Sequence, residues 1–340
     1  MPLSVSSPVD DSCLAAPVPA LAAVLSRPEN FELHEQPAPV IKSSQVLLRL
    51  EGCGICASSL PLWQGRPWFQ YPLPAGVPGH EGWGEIVEIG RDLRLLRSDL
   101  HCGQKVACLN NHAFAGYTVA TASDVVPLPE SLHGLPFPGE AIGCAMNIFR
   151  RSDIRKNQYV GIIGAGFLGL LLVQLAVHTG ARVLVLTRRK SARELAGHYG
   201  AEATFDTEDW WGNSRKVLEM TGGRGCDRVV EATGMQFALD IATEIIAEYG
   251  RLVIAGYHQD GLRQIDMQKW NWRAIDVINA HERDPRRSMQ GIAEGITAAE
   301  EGRIRYGELL THRFDLDRLS LGFRMMIDRP DGFIKGWVTL

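Results

Sequence analysis

The sequence has no apolar run approaching the ~20 residues that a bilayer-spanning helix requires, so no membrane partner is expected. It has no excess of positive charge either. Thirty-five Lys and Arg against 39 Asp and Glu leave a net charge of −4, which argues against a nucleic-acid partner, whose phosphates call for a basic surface. The N-terminus lacks a basic segment followed by a continuous apolar one, and residues 1–20 are expected to form a flexible extension, not a signal peptide. No internal repeat or low-complexity tract is visible. Seven cysteines is an odd number in a long chain, and thiols or metal ligands in a cytoplasmic setting are expected in preference to a disulfide framework. What remains is an ordinary globular composition, 45% hydrophobic and 22% charged, in a chain of 340 residues. That length exceeds what one core usually holds, so two domains are expected.

The chain changes character near Ile148. Before it come short strands with turn signals: Gln45 to Leu50, Gly84 to Ile89, Lys105 to Leu109 and Tyr117 to Ala120, punctuated by Gly90, Gly103, Gly116 and Pro127. Beyond it, apolar β-branched runs begin at Tyr159, Val183, Arg228 and Arg251, separated by helical stretches. Such runs suit strands buried on both faces of a parallel sheet, and their alternation with helices predicts a doubly wound α/β fold. The tail from about Ile292 holds a helix candidate and closes in a strand candidate from Phe333.

After the first of these runs comes Gly164-Ala165-Gly166-Phe167-Leu168-Gly169, then a helical stretch from Leu170. Alone, a G-x-G-x-x-G string says little. Between a strand and a helix it is the dinucleotide-binding arrangement: Gly164 makes the tight turn, Gly166 admits the pyrophosphate, and Gly169 lets helix and strand approach. A Gly-rich turn without a ligand is the alternative. The cofactor-selecting position falls at Thr187-Arg188-Arg189-Lys190. No carboxylate is there to repel a 2′-phosphate, and Arg188 and Arg189 could clamp one, so NADP(H) is favoured over NAD(H). A solvated basic turn is the alternative.

Two further stretches carry metal-binding residue types. Glu51-Gly52-Cys53-Gly54-Ile55-Cys56 contains a C-x-x-C spacing that fits a redox pair, half of a zinc clip, or one ligand beside a bystander. Pro78-Gly79-His80-Glu81-Gly82 contains a His–Glu pair. Together with the dinucleotide fold, these resemble the zinc-dependent medium-chain dehydrogenase/reductase family, the alcohol and polyol dehydrogenases. The resemblance runs from about Ala22 to Leu340 and includes Glu231-Ala232-Thr233-Gly234, Gly250 to Gly256 and the closing stretch from Asp331.

The resemblance implies a Rossmann domain at residues 148–291 and a β-rich GroES-like catalytic domain at 21–147 and 292–340. Cys56 matches the family's first zinc ligand, leaving Cys53 as a bystander, and His80 matches the second, with Glu81 as an inner or adjacent carboxylate. Glu140 is the preferred third ligand because the stretch to Arg151 follows the polyol-dehydrogenase pattern. Cys144 is the alternative, and it can equally be a small buried hydrophobe. The family's run of four structural-zinc cysteines is absent, so one catalytic zinc is expected. Ser59 replaces the aspartate that orients the ligand histidine, and Glu85 is a candidate substitute. Ser58 matches the hydroxyl that relays the proton.

The implied activity interconverts a secondary alcohol and its ketone by hydride transfer, in a homodimer or homotetramer. Trp63, Trp68, Phe69, Tyr71 and Asn147 are candidates to line a site for a polyol, cyclitol or sugar, although the aromatics can equally be core. The rival readings are a zinc-free enone or quinone reductase and a non-catalytic NADPH-binding protein.

Overall fold

In the computed structural model, residues 18–340 are described. The extension expected at 1–20 lies outside them except for its last three residues, and Ala20 opens a strand.

Central strands buried on both faces build the middle of the first sheet. Across it the strands stand in the order Ala203–Phe205, Arg182–Leu186, Tyr159–Ile163, Cys226–Glu231, Ile246–Ile254, Asp276–Asn279, all parallel. In chain order this is 3-2-1-4-5-6, so the winding reverses between Tyr159–Ile163 and Cys226–Glu231. Side loops diverge there and leave a crevice at the carboxyl ends of the strands. The four apolar runs are the four central strands. The two edge strands escape a reading of apolar runs, because their residues are half-buried or exposed. Helix Phe167–His178 packs between this sheet and helix Gly139–Ser152, and so is apolar nearly all round.

The second sheet joins the N-terminal third to the tail, in the order His312–Asp315, Gly336–Thr339, Gln45–Gly54, Gly82–Ile89, Lys105–Cys108, Val125–Pro127. Tyr117–Thr121 also pairs with Gln45–Gly54, and Ala20–Arg27 forms a hairpin with Asn30–Gln36. The strand expected to end at Leu50 continues to Gly54, clasped by Gly82–Ile89 on one edge and Gly336–Thr339 on the other. The closing strand pairs only from Gly336, since Ile334 donates its N–H to Thr311 Oγ1 at 2.9 Å.

Separate cores underlie the sheets. One holds Leu48, Ile86, Phe114 and Phe323; another runs from Ile142, Met146 and Ile292 into Val160, Leu170 and Leu172. Helices Gly139–Ser152 and Pro285–Glu300 pack where Gly143 faces Gly291. The expected divisions at 147/148 and 291/292 fall inside these two helices. Among the described residues no helix is long and apolar enough to cross a membrane.

Candidate metal and cofactor site

The end of strand Gln45–Gly54 delivers Cys56 to a short 3-10 turn, Ala57–Ser59, while His80 and Glu81 immediately precede strand Gly82–Ile89. Gly54 is required between them, because a Cβ there would overlap Glu81 Oε2. One ligand atom each from Cys56, His80 and Glu81 lies within 4.8 Å of the others. Helix Gly139–Ser152 supplies the next side chains. Glu140 Oε2 is 4.0 Å from His80 Nε2, and the Cys144 thiol donates to Glu140 Oε1 at 3.1 Å. Their spacing of four puts both on one face of the helix.

The histidine ring is oriented by backbone. Its Nδ1 lies 3.0 Å from the Pro78 carbonyl, which can only accept, so Nδ1 carries a proton and Nε2 faces Cys56 and Glu140. Ser59 Oγ, at 3.5 Å from Nδ1, adds only a weak contact. Glu85 does not substitute for the missing aspartate: it is held by Lys105 at 2.5 Å and Arg49 at 3.3 Å. Ser58 is exposed, with Oγ 3.2 Å from Cys56 Sγ and 3.4 Å from His80 Nε2.

The electrostatics of this cluster suit a cation. Burial alone would lower the His80 pKa, but the hydrogen bond and charge of Cys56, with Glu140 and Glu81, raise it to about 10. The donors therefore stabilise positive charge in their midst. Burial, reinforced by the Glu140 charge, pushes the Cys144 thiol well up, keeping it a proton donor to that carboxylate. Glu81 is fully buried, and its Oε2 has no hydrogen-bond partner among the described residues. A thiolate, an imidazole and an orphaned carboxylate oxygen form a donor set that zinc accepts, so these residues fit a zinc ion. Cys53 does not join them. Its side chain is buried in the β core, and burial, then the Glu81 charge, raise its pKa well above the usual thiol range.

Lys335 escaped the sequence analysis. Its Nζ donates to Glu81 Oε1 at 2.6 Å and lies 5.1 Å from the centroid of the Phe167 ring. It thereby joins the metal-type cluster to the start of the glycine-loop helix. A lone lysine in the apolar closing stretch Phe333-Ile334-Lys335-Gly336-Trp337 was the available signal.

The glycine loop sits at the carboxyl end of Tyr159–Ile163. Gly164 has φ +100°, a Cβ on Gly169 would collide with the Gly164 carbonyl, and Gly166 faces open space. Phe167 and Leu168 open the helix, which has no acidic residue in its first turn and offers free N–H groups to an anion. Thr187 is buried at the end of the neighbouring strand, and Arg188 is exposed. Arg189 corrects an expectation: it is not free to clamp a phosphate. Its Nη1 donates to the Phe333 carbonyl and its Nη2 to Ala165 at 3.3 Å, stapling the loop to the tail.

The expected site lining also divides. Trp63 is buried and stacks on Phe323, Tyr71 donates its hydroxyl to the Leu62 carbonyl, and Asn147 is buried between helices, accepting from Arg150 at 3.0 Å. These three are packing residues. Trp68 is exposed and Phe69 half-buried beside it.

Both halves of the chain resemble known proteins. Residues 42–130 match the model of the alcohol dehydrogenase GroES-like domain, and residues 168–294 match that of the zinc-binding dehydrogenases. L-threonine 3-dehydrogenase of Ruegeria pomeroyi is 28% identical, the match covering 88% of this chain and 94% of that protein. L-galactonate-5-dehydrogenase of Escherichia coli is 22% identical, covering 93% and 98%. The fold is shared with a zinc-binding dehydrogenase from Sinorhizobium meliloti solved bound to NADP, with a TM-score of 0.80, 24% identity, and coverage of 95% and 100%. A GroES-like β domain joined to a Rossmann sheet defines the class. The chain belongs to the zinc-type medium-chain dehydrogenase/reductase family, and it is an oxidoreductase.

Proposed function

We propose that this protein interconverts a secondary alcohol of polyol, cyclitol or sugar type and its ketone, using one zinc ion per chain and NADP(H). The observation that carries the reading is the gathering of Cys56, His80 and the orphaned Glu81 oxygen, linked through Lys335 to the glycine loop. When bound, the metal supplies Lewis acidity at the substrate oxygen, and the nicotinamide takes or returns the hydride. The chain does the rest. Cys56 and His80 hold the metal, the latter kept in register by the Pro78 carbonyl. Ser58 takes the substrate's proton and, being exposed, hands it to solvent. Gly166 leaves room for the pyrophosphate, and the helix from Phe167 turns its N–H groups toward it. Relatives with names such as L-galactonate-5-dehydrogenase and sorbitol dehydrogenase support the polyol-like substrate class. A homodimer or homotetramer in the cytoplasm accompanies this reading. Cofactor-coupled screening over alcohols, cyclitols and sugars, with zinc quantified on the same sample, tests it. Zinc-free protein that still reduces enones would replace it with the rival reductase.

In this reading Glu140 joins Cys56 and His80 as the third protein ligand, with Glu81 as the inner or adjacent carboxylate. Glu140→Ala should weaken zinc binding by about 10-fold or more, since losing a ligand costs at least what losing a supporting contact does. Cys144→Ser should leave it nearly unchanged. In cobalt-substituted protein, charge-transfer intensity for one thiolate fits Cys56 with Glu140; intensity for two would put Cys144 on the metal.

Arg188 is the residue that selects NADP(H). Arg188→Asp should lower the NADP-to-NAD ratio of kcat/KM by about 100-fold, because charge-assisted bonds are replaced by repulsion. An unchanged ratio would make this turn solvated surface.

A further inference from the structure

The cofactor-selecting turn has a neighbour from the far end of the chain. Helix Leu319–Asp328 ends at Arg329, whose backbone is left-handed at φ 46°. A left-handed residue commonly closes a helix, and here its N–H donates to the Met325 carbonyl at 2.8 Å. The residues that follow lie against the cofactor-selecting turn. Ser191 Oγ donates to Asp331 at 2.6 Å, Gly332 N–H donates to Ser191 Oγ at 3.1 Å, and Arg189 donates to the Phe333 carbonyl.

The charges in this corner are poorly balanced. Arg188 is exposed and makes no side-chain hydrogen bond or ion pair among the described residues. Arg329 donates from its Nε to the Met326 carbonyl at 3.2 Å, and neither Nη group has a partner among the described residues. Partial desolvation of its guanidinium and then the Arg188 charge lower its pKa, as desolvation and then Arg329 lower that of Arg189. Lys190 faces Glu194 at 3.7 Å, and Asp331 is engaged by Ser191 beside Arg189. Neither carboxylate pairs with Arg188 or Arg329. Helix Lys190–His198 adds to the imbalance, opening here with no side-chain cap and no acidic residue in its first turn.

We infer that Arg188 and Arg329 hold the cofactor's 2′-phosphate between them, one from the parallel-sheet half and one from the C-terminal tail, with Arg189 positioning the two segments. The inference rests on the NADP(H) reading above. Two planar guanidinium groups offer several N–H donors to a dianionic phosphate, each bond charge-assisted. The phosphate then ties the nucleotide half to the segment that runs on, six residues later, to Lys335 and the metal-type cluster.

The test uses zinc-loaded full-length protein, titrated with NADPH and NADH and, as probes of the adenosine end alone, with adenosine 2′,5′-bisphosphate and AMP. Arg329→Asn is the informative variant, since asparagine tolerates the left-handed backbone while removing the charge. Its Kd for NADPH and for the bisphosphate should rise about ten-fold, with those for NADH and AMP within about two-fold. Arg329→Lys should recover part of the loss. If wild-type protein prefers NADPH and Arg329→Asn keeps that preference, the inference fails alone. If wild-type protein binds both cofactors equally, the NADP(H) reading fails and takes the inference with it. Equal weakening of NADPH and NADH would assign Arg329 a structural role and overturn the inference.

Discussion

Cys56→Ala is expected to release the metal and to lower kcat/KM by about a thousand-fold or more, whereas Cys53→Ala keeps both. The contrast follows from where one strand ends. Cys53 lies inside Gln45–Gly54, buried, with burial and the Glu81 charge holding its proton on. Cys56 lies beyond the strand, half-exposed, within 4.8 Å of the His80 and Glu81 donors. Lewis acidity at the substrate oxygen would lower the barrier by several kcal/mol, and each 1.4 kcal/mol is a factor of ten in rate. Cys53→Ala removes one sulfur from a packed core, at about 1 kcal/mol. Metal content per chain and steady-state kinetics on both variants make the comparison. Equal losses would revive a paired C-x-x-C site.

Lys335→Met is expected to be the most destabilising single change, by about 3–5 kcal/mol. Lys335 and Glu81 form an ion pair at 2.6 Å with side chains 7% and 0% exposed. Removing one partner strands the other charge away from water, which costs far more than an exposed pair contributes. Glu81 is badly placed to tolerate this, because its second oxygen already lacks a hydrogen-bond partner. Urea unfolding of metal-free protein should show a lower midpoint with an unchanged slope. Adding Glu81→Gln should recover much of the loss, since a neutral amide needs no counter-charge. Zinc should also stabilise the Lys335→Met protein more than the wild type, if Glu81 Oε2 faces the metal. A midpoint shift worth less than about 1 kcal/mol would mean that water reaches the Glu81 carboxylate.

The site was legible wherever residue type and local spacing suffice. The glycine loop between a strand and a helix announces its chemistry within a few residues, whereas the Cys56 stretch and the His80–Glu81 pair were singled out by the family resemblance. The four central strands of the parallel sheet are legible for a related reason: burial on both faces demands continuous apolar runs. The edge strands Ala203–Phe205 and Asp276–Asn279 are half-exposed and carry no such run. The candidate lining failed differently. Trp63 and Asn147 have the chemistry of ligand-contacting residues, yet Phe323 and Arg150 claim them.

By itself, then, beyond the family resemblance that singles out Cys56 and His80, the sequence determined the alternation of strands and helices and the dinucleotide loop. These follow from backbone sterics and hydrophobic period, both of which act over a few neighbouring positions. The tertiary structure alone decided that Lys335 neutralises Glu81 across 254 positions, that Pro78 takes over the orientation of His80, and that Arg189 is a staple while Ser191 engages Asp331. Each of those outcomes is a competition among polar groups for partners once water has been excluded. Which partner wins depends on how distant segments pack, and the residues close by in the chain carry no record of it.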